Sequence, residues 1–156
     1  VCNHVREILQ AAKDTGETLV AVGDYSTRYG KKLFQEFQCP NIIFPGTLYD
    51  KNVVNALRTE CVFYLHGHSA GGTNPALLEA MGCGAMVLAH KNAFNDSVLG
   101  GLGALWQDEK ELTELLVQRP SAEVRAQQRA LSQERIAQHF NWEGIASAYL
   151  GAMAEL

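Results

Sequence analysis

The segment HGHSAGGTNPALLEAMGCG, residues 66–84, holds the chain's densest set of groups able to do chemistry. Gly71-Gly72 allows close approach of the backbone to a ligand and a positive φ. Asn74-Pro75 is a strong helix start, an N-cap residue followed by proline at the first helical position. A helix beginning there leaves the amides around Thr73, Asn74 and Ala76 without intrahelical acceptors, at the positive end of the helix dipole. Such an array suits an anion, most naturally a phosphate or diphosphate. The side chains of Thr73 and Asn74 can add hydrogen bonds. A plain tight turn would use the same glycines, so the loop by itself leaves both roles open.

Glu79 lies five residues beyond Asn74, in the second turn of an otherwise apolar segment. A carboxylate there can accept hydrogen bonds from the cis-diol of a ribose, or it can be an ordinary solvated helix glutamate. His66, His68 and His90 together with Glu79 are types that bind zinc. Residues at i and i+2 share a side only if the strand runs on through Gly67, and no HExxH or similar spacing is present, so no metal is expected. His66 and His68 are instead candidates to line a pocket, with a structural role open to each. Ser69 joins that lining; it is flanked by His68 and Ala70 rather than glycines, so it does not form a nucleophile elbow. Asp24 and Tyr25 sit in GDYSTRYG, which is not GxGxxG and so carries no dinucleotide fingerprint. Asp24 can touch a base or ribose, or serve a turn. Asn95, in the FNDSVLG segment, completes the candidate lining.

These groups need a scaffold. Val5, Ile8, Leu9 and Ala12 recur at helical spacing, and Thr15-Gly16 ends that first helix. TLVAVG (18–23), NIIFPG (41–46), CVFYLH (61–66) and AMVLAH (85–90) are short apolar runs that predict strands buried on both faces, with ALW (104–106) a weaker fifth. Helices are predicted over about 31–38, after Asp50, from Pro75 to about Gly82, after the Asp108/Glu111 capping box, over 122–138, and after Asn141. Apolar strands alternating with helices predict a three-layer α/β sandwich with a mostly parallel sheet. Ligands in such sheets bind beyond the carboxyl ends of the strands, where the 66–84 loop falls.

Composition narrows the classes further. The chain has 156 residues, 47% hydrophobic and 19% charged, enough for one domain spanning 1–156 with a core that needs no disulfides. A formal net charge of −4 argues against binding to nucleic acid through phosphate neutralisation. No apolar run reaches the length of a membrane span, and VCNHVREIL does not read as a signal peptide. The four cysteines form no CxxC pair, which predicts free thiols and a cytoplasmic setting. Cys61 and Cys83 lie in apolar contexts, and QDEKELTE reads as a solvated helix face.

The central block resembles the donor-site motif of retaining GT-B-fold glycosyltransferases, and within them the rhamnosyltransferase-like bacterial branch, whose loop is similar to HSAGGTNPALLEAM. GDYSTRYG, IIFPGTLYD, FNDSVLG and FNWEGIASAYL resemble further segments of that family, in its order, so the likeness covers nearly the whole chain. The resemblance implies a Rossmann-like donor domain that binds a nucleotide-diphosphate sugar. It places the diphosphate at Gly71, Gly72, Thr73 and Asn74 and the ribose hydroxyls at Glu79. The implied reaction is transfer of a hexosyl or deoxyhexosyl group to a glycan acceptor in polysaccharide biosynthesis, with no cofactor. The alternative is a non-catalytic nucleotide-binding or assembly module.

Position 71, where the wider superfamily often has a second glutamate, is glycine, and the rhamnosyltransferase-like branch likewise has a non-acidic residue there. By the same resemblance the chain begins after the domain's usual first strand and the basic loop that follows it; Arg28, Lys31 and Lys32 do not match that loop's position. The acceptor domain is likewise not included. The absent strand would lie between TLVAVG and CVFYLH, which predicts a rearranged sheet, a homo-oligomer or a partner chain. Trp142 and Tyr149 are expected in an exposed patch or a dimer contact.

Overall fold

The computed structural model describes residues 3–154, and in it parallel strands alternate with helices. Cys2, expected as a free thiol, lies outside the described residues; Cys39, Cys61 and Cys83 are free and partly buried. Helix α1 (Val5–Thr15) stops at Gly16, whose φ of 72° supplies the left-handed C-cap. Strand β1 (Leu19–Val22) leads to α2 (Arg28–Glu36), capped by the Thr27 side chain accepting from the Gly30 amide. Strand β2 (Ile42–Gly46) pairs in parallel with β1. Asp50 caps α3 (Lys51–Glu60) as its sequence predicts.

The second half follows the same alternation. Strand β3 (Tyr64–His66) is followed by α4 (Pro75–Gly82), β4 (Val87–His90), α5 (Ala93–Leu99) and β5 (Ala104–Trp106). Then come α6 (Glu109–Val117), α7 (Ala122–His139) and α8 (Trp142–Ala154). Helix α5 falls in FNDSVLG, where the periodicity predicts no helix. Asn92 starts it, its side chain accepting from the amides of both Phe94 and Asn95.

The strands do not form one sheet. β1 and β2 make a two-stranded sheet, and β3, β4 and β5 a three-stranded one in the order β3-β4-β5. Helix α1 joins the halves. Its Leu9 and Ala12 pack with Leu33, Phe37 and Ile42 over the first sheet. Its Ala11 packs with Leu88, Trp106, Leu112 and Leu116 against the second.

The reading of TLVAVG as buried on both faces is corrected: Leu19 and Ala21 face the core, while Val20 and Val22 are 38% and 45% exposed, with Ile43 beside them at 49%. An apolar run records what a strand can bury, not whether both faces find cover. CVFYLH is likewise cut to the three residues of β3. Only β4, flanked on both edges, matches the doubly buried pattern at Val87, Leu88 and Ala89.

Helix α7 lies against α4 and is fastened by arginines. Arg129 donates to the Thr59 carbonyl (2.7 Å), and Arg135 to the carbonyls of Ser97 and Val98 (2.7 Å each). Helix α8 buries none of its residues, and Trp142 and Tyr149 are 83% and 70% exposed.

Candidate functional site

The site begins at the carboxyl end of β3. His66 closes the strand, and the chain crosses Gly67–Thr73 before Asn74 caps α4, its Oδ1 accepting from the Ala76 amide at 2.9 Å. That amide, one of those predicted for an anion, is therefore used within the chain. Gly71 has a φ of 105°, and a Cβ at either Gly71 or Gly72 would meet nothing within 4 Å. Residues 71–73 are exposed. Glycine here keeps the approach to the helix N-terminus open, and the dipole favours a negative group at that mouth.

Glu79 projects from the second turn of α4. Its Oε2 is 2.8 Å from Nη2 of Arg58 on α3, the arginine side chain being 13% exposed and the glutamate 59%. The two belong to a cleft of about 380 Å³ whose walls include Leu48, Tyr49, Lys51, Asn55 and Cys83. Burial pushes the Tyr64 hydroxyl above the usual tyrosine range, with the charge of Arg58 pulling the other way. A larger depression of about 600 Å³ near Arg6, Tyr29 and Lys32 includes none of the motif residues and is bordered by the Arg6–Glu36 ion pair. Chemistry favours the smaller cleft, which runs along the flank of α4.

His66 is 2% exposed, and its Nε2 has no partner. Burial first, and the neighbouring His68 second, lower its pKa to about 4, so it is neutral at physiological pH. His68 stacks on it, and Ser69 follows, half-buried. His90 stacks instead on His4, ring centroids 4.0 Å apart, with Trp106 edge-on. The histidines thus form two separate pairs. Among the described residues, no three His, Cys, Asp or Glu side chains gather as a metal site.

Asn95 is 4% exposed, and its amide donates to the carbonyls of His68 (2.9 Å) and His90 (2.7 Å). It ties the start of the glycine loop to the end of β4. Asn92 donates to the same two carbonyls. Its helix-capping position before an apolar run was the signal that would have found it. Asp24 accepts from the Ser26 amide at 2.7 Å in a tight turn, and this bond holds its carboxyl below the usual range. Tyr25 packs edge-on to Phe44, and neither residue lines the Glu79 cleft. Arg58 was missed for a different reason. Its pairing joins two helices separated by a strand, and no local spacing announces it.

Neither a family model nor a curated protein matches the chain. Among solved structures, the crystal structure of Anabaena HepE in complex with UDP-glucose superposes with a TM-score of 0.78 at 21% identity. The match covers 97% of this chain and 45% of that one. The HepE complex with UDP gives 0.80 at the same identity. The C-terminal domain of the group 1 glycosyl transferase LpcC from Francisella tularensis gives 0.74 at 18% identity, covering 90% of this chain and 81% of that domain's chain. The present chain therefore spans less than half the length of HepE. The superpositions establish the fold: a Rossmann-like α/β domain, shared with HepE and with the C-terminal domain of LpcC.

Proposed function

We propose that this domain binds a nucleotide-diphosphate sugar and serves as the donor half of a glycosyltransferase. One observation carries the reading. The open N-terminus of α4 and the exposed carboxylate of Glu79 lie on one short helix, roughly 7 Å apart along its axis at 1.5 Å per residue. That spacing suits a 5′-diphosphate and the hydroxyls of its own ribose. The diphosphate would rest on the Gly71–Asn74 loop and the ribose on Glu79. The base would enter the cleft towards Leu48 and Tyr49. HepE, which shares the fold, was crystallised with UDP and with UDP-glucose.

In this reading the helix N-terminus stabilises the charge that develops on the departing diphosphate. The sequence resemblance adds the finer terms: a hexosyl or deoxyhexosyl group, rhamnosyl-like, transferred with retention to a glycan acceptor that another domain or chain would hold. No described helix is long and apolar enough to cross a membrane. The experiment is calorimetric titration with UDP, dTDP and GDP on the wild type and Glu79→Ala. Saturable binding of one of them, weakened about tenfold or more by the substitution, is expected for a lost charged hydrogen bond. Binding of none would overturn the reading.

A second reading, a nucleotide-binding or assembly module without transfer, draws on α8, where Trp142, Tyr149, Leu150 and Met153 are all exposed. Hydrolysis of the bound donor, or its transfer to an acceptor, would decide against it.

A further inference from the structure

We propose that Arg58 is the positioning residue for Glu79, and that it sets the domain's preference for a ribose over a 2′-deoxyribose nucleotide. The inference rests on the donor-site reading above. Glutamate on an exposed helix face samples several rotamers, and ordering it on binding costs side-chain entropy. Glu79 is not left to do so, because the Arg58 guanidinium already holds Oε2 at 2.8 Å.

The guanidinium is itself fixed. Its side chain is 13% exposed, and Nη1 donates to Asn55 Oδ1 at 3.2 Å. The half-buried Tyr64 on β3 lies within reach of its charge. A planar fork anchored on α3 gives the carboxylate on α4 a fixed reference that a flexible lysine would not provide.

The contrast in exposure decides what the pair is for. An ion pair with one largely solvated partner contributes little to stability. The same pair leaves most of the carboxylate facing the cleft. A carboxylate offers about four lone-pair positions, so one bond from Arg58 leaves capacity for both hydroxyls of a diol. A carboxylate held in this place discriminates against a sugar that lacks one of those hydroxyls.

The test is a calorimetric comparison of UDP and GDP, each against its 2′-deoxy form, on wild type, Arg58→Ala, Arg58→Lys, Glu79→Ala and the double alanine variant. Circular dichroism and thermal melting monitor folding, and Arg58→Lys covers the case in which the alanine variant fails to fold. The wild type should prefer one ribonucleotide by about tenfold over its deoxy form. Arg58→Ala should lose most of that preference, and Arg58→Lys should keep only part of it. In the Glu79→Ala background, removing Arg58 should change nothing further, because the two act as one unit. Full retention of the preference in Arg58→Ala or Arg58→Lys, or additive losses in the double variant, would overturn the role of Arg58 while leaving the donor site standing. A wild type that binds none of UDP, GDP and dTDP removes the donor-site reading and this inference with it, and one that binds dTDP alone removes the inference. A wild type that binds without preferring ribose removes the inference alone.

Discussion

The imidazoles of His66 and His68 stack with centroids 4.8 Å apart and planes 21° from parallel, and only His66 is sealed from solvent. A cation is disfavoured on the inner ring by burial and by its neighbour, which lowers its pKa from 6.5 to about 4. Above pH 6.5 the ring is neutral whether the chain is folded or unfolded. Between 6.5 and about 4 only the unfolded chain takes up the proton, so stability is lost as pH falls through that window. The full loss is on the order of 3 kcal/mol at 1.36 kcal/mol per pKa unit. Urea denaturation at neutral pH and near pH 5 should show the decline, and His66→Gln should flatten it. An unchanged pH dependence in that variant would assign the effect to other groups.

Asn95 connects the backbone of the glycine loop to that of β4 through two short hydrogen bonds in a buried setting. Asn95→Ala removes both donors and leaves two carbonyls with only the weaker bonds from Asn92. A loss of about 2 kcal/mol is expected in chemical denaturation. Nucleotide affinity should fall too, because the loop's entry point at His68 is no longer fixed.

Asn74 separates capping from ligand binding. Asn74→Ala should cost about 1 kcal/mol of stability through the lost bond to the Ala76 amide. Asn74→Asp keeps a good N-cap and favours the helix dipole, so its stability should match or exceed that of the wild type. If a diphosphate binds at this mouth, the new carboxylate repels it, and affinity should fall further in the aspartate variant than in the alanine one. Equal affinities in the two variants would place the phosphates elsewhere.

Gly103 has a φ of 70°, and a Cβ there would stand 2.2 Å from the carbonyl oxygen of Val87, in the fully buried central strand. Neither backbone can yield without disturbing the β4–β5 pairing. Gly103→Ala should destabilise the domain by about 3 kcal/mol or more, since backbone strain and overpacking add. Thermal melting of the purified variant is the measurement.

Local chemistry was legible wherever one residue type has one strong local preference. Asp50, Asn74, Asp108 and Asn141 were each read as helix starts from the sequence, and each side chain accepts a backbone amide there. Gly16 closes α1 at the predicted place. Helix α5 is not legible in the sequence, because its seven residues are too few to show a period. Asn95 came out of the sequence as a pocket residue, and the structure shows its amide engaged with the backbone.

The sequence by itself determined the alternation of parallel strands and helices and the glycine loop leading into a capped helix. It also carried the position of Glu79 on that helix. These follow from short-range rules: period, capping and the conformational range of glycine. Only the tertiary structure decided that the strands divide into two sheets bridged by α1, that Val20 and Val22 face outward, and that Arg58 on one helix takes hold of Glu79 on another. Such facts depend on which surfaces meet in space, and packing between elements distant in the chain leaves no spacing for a sequence to display.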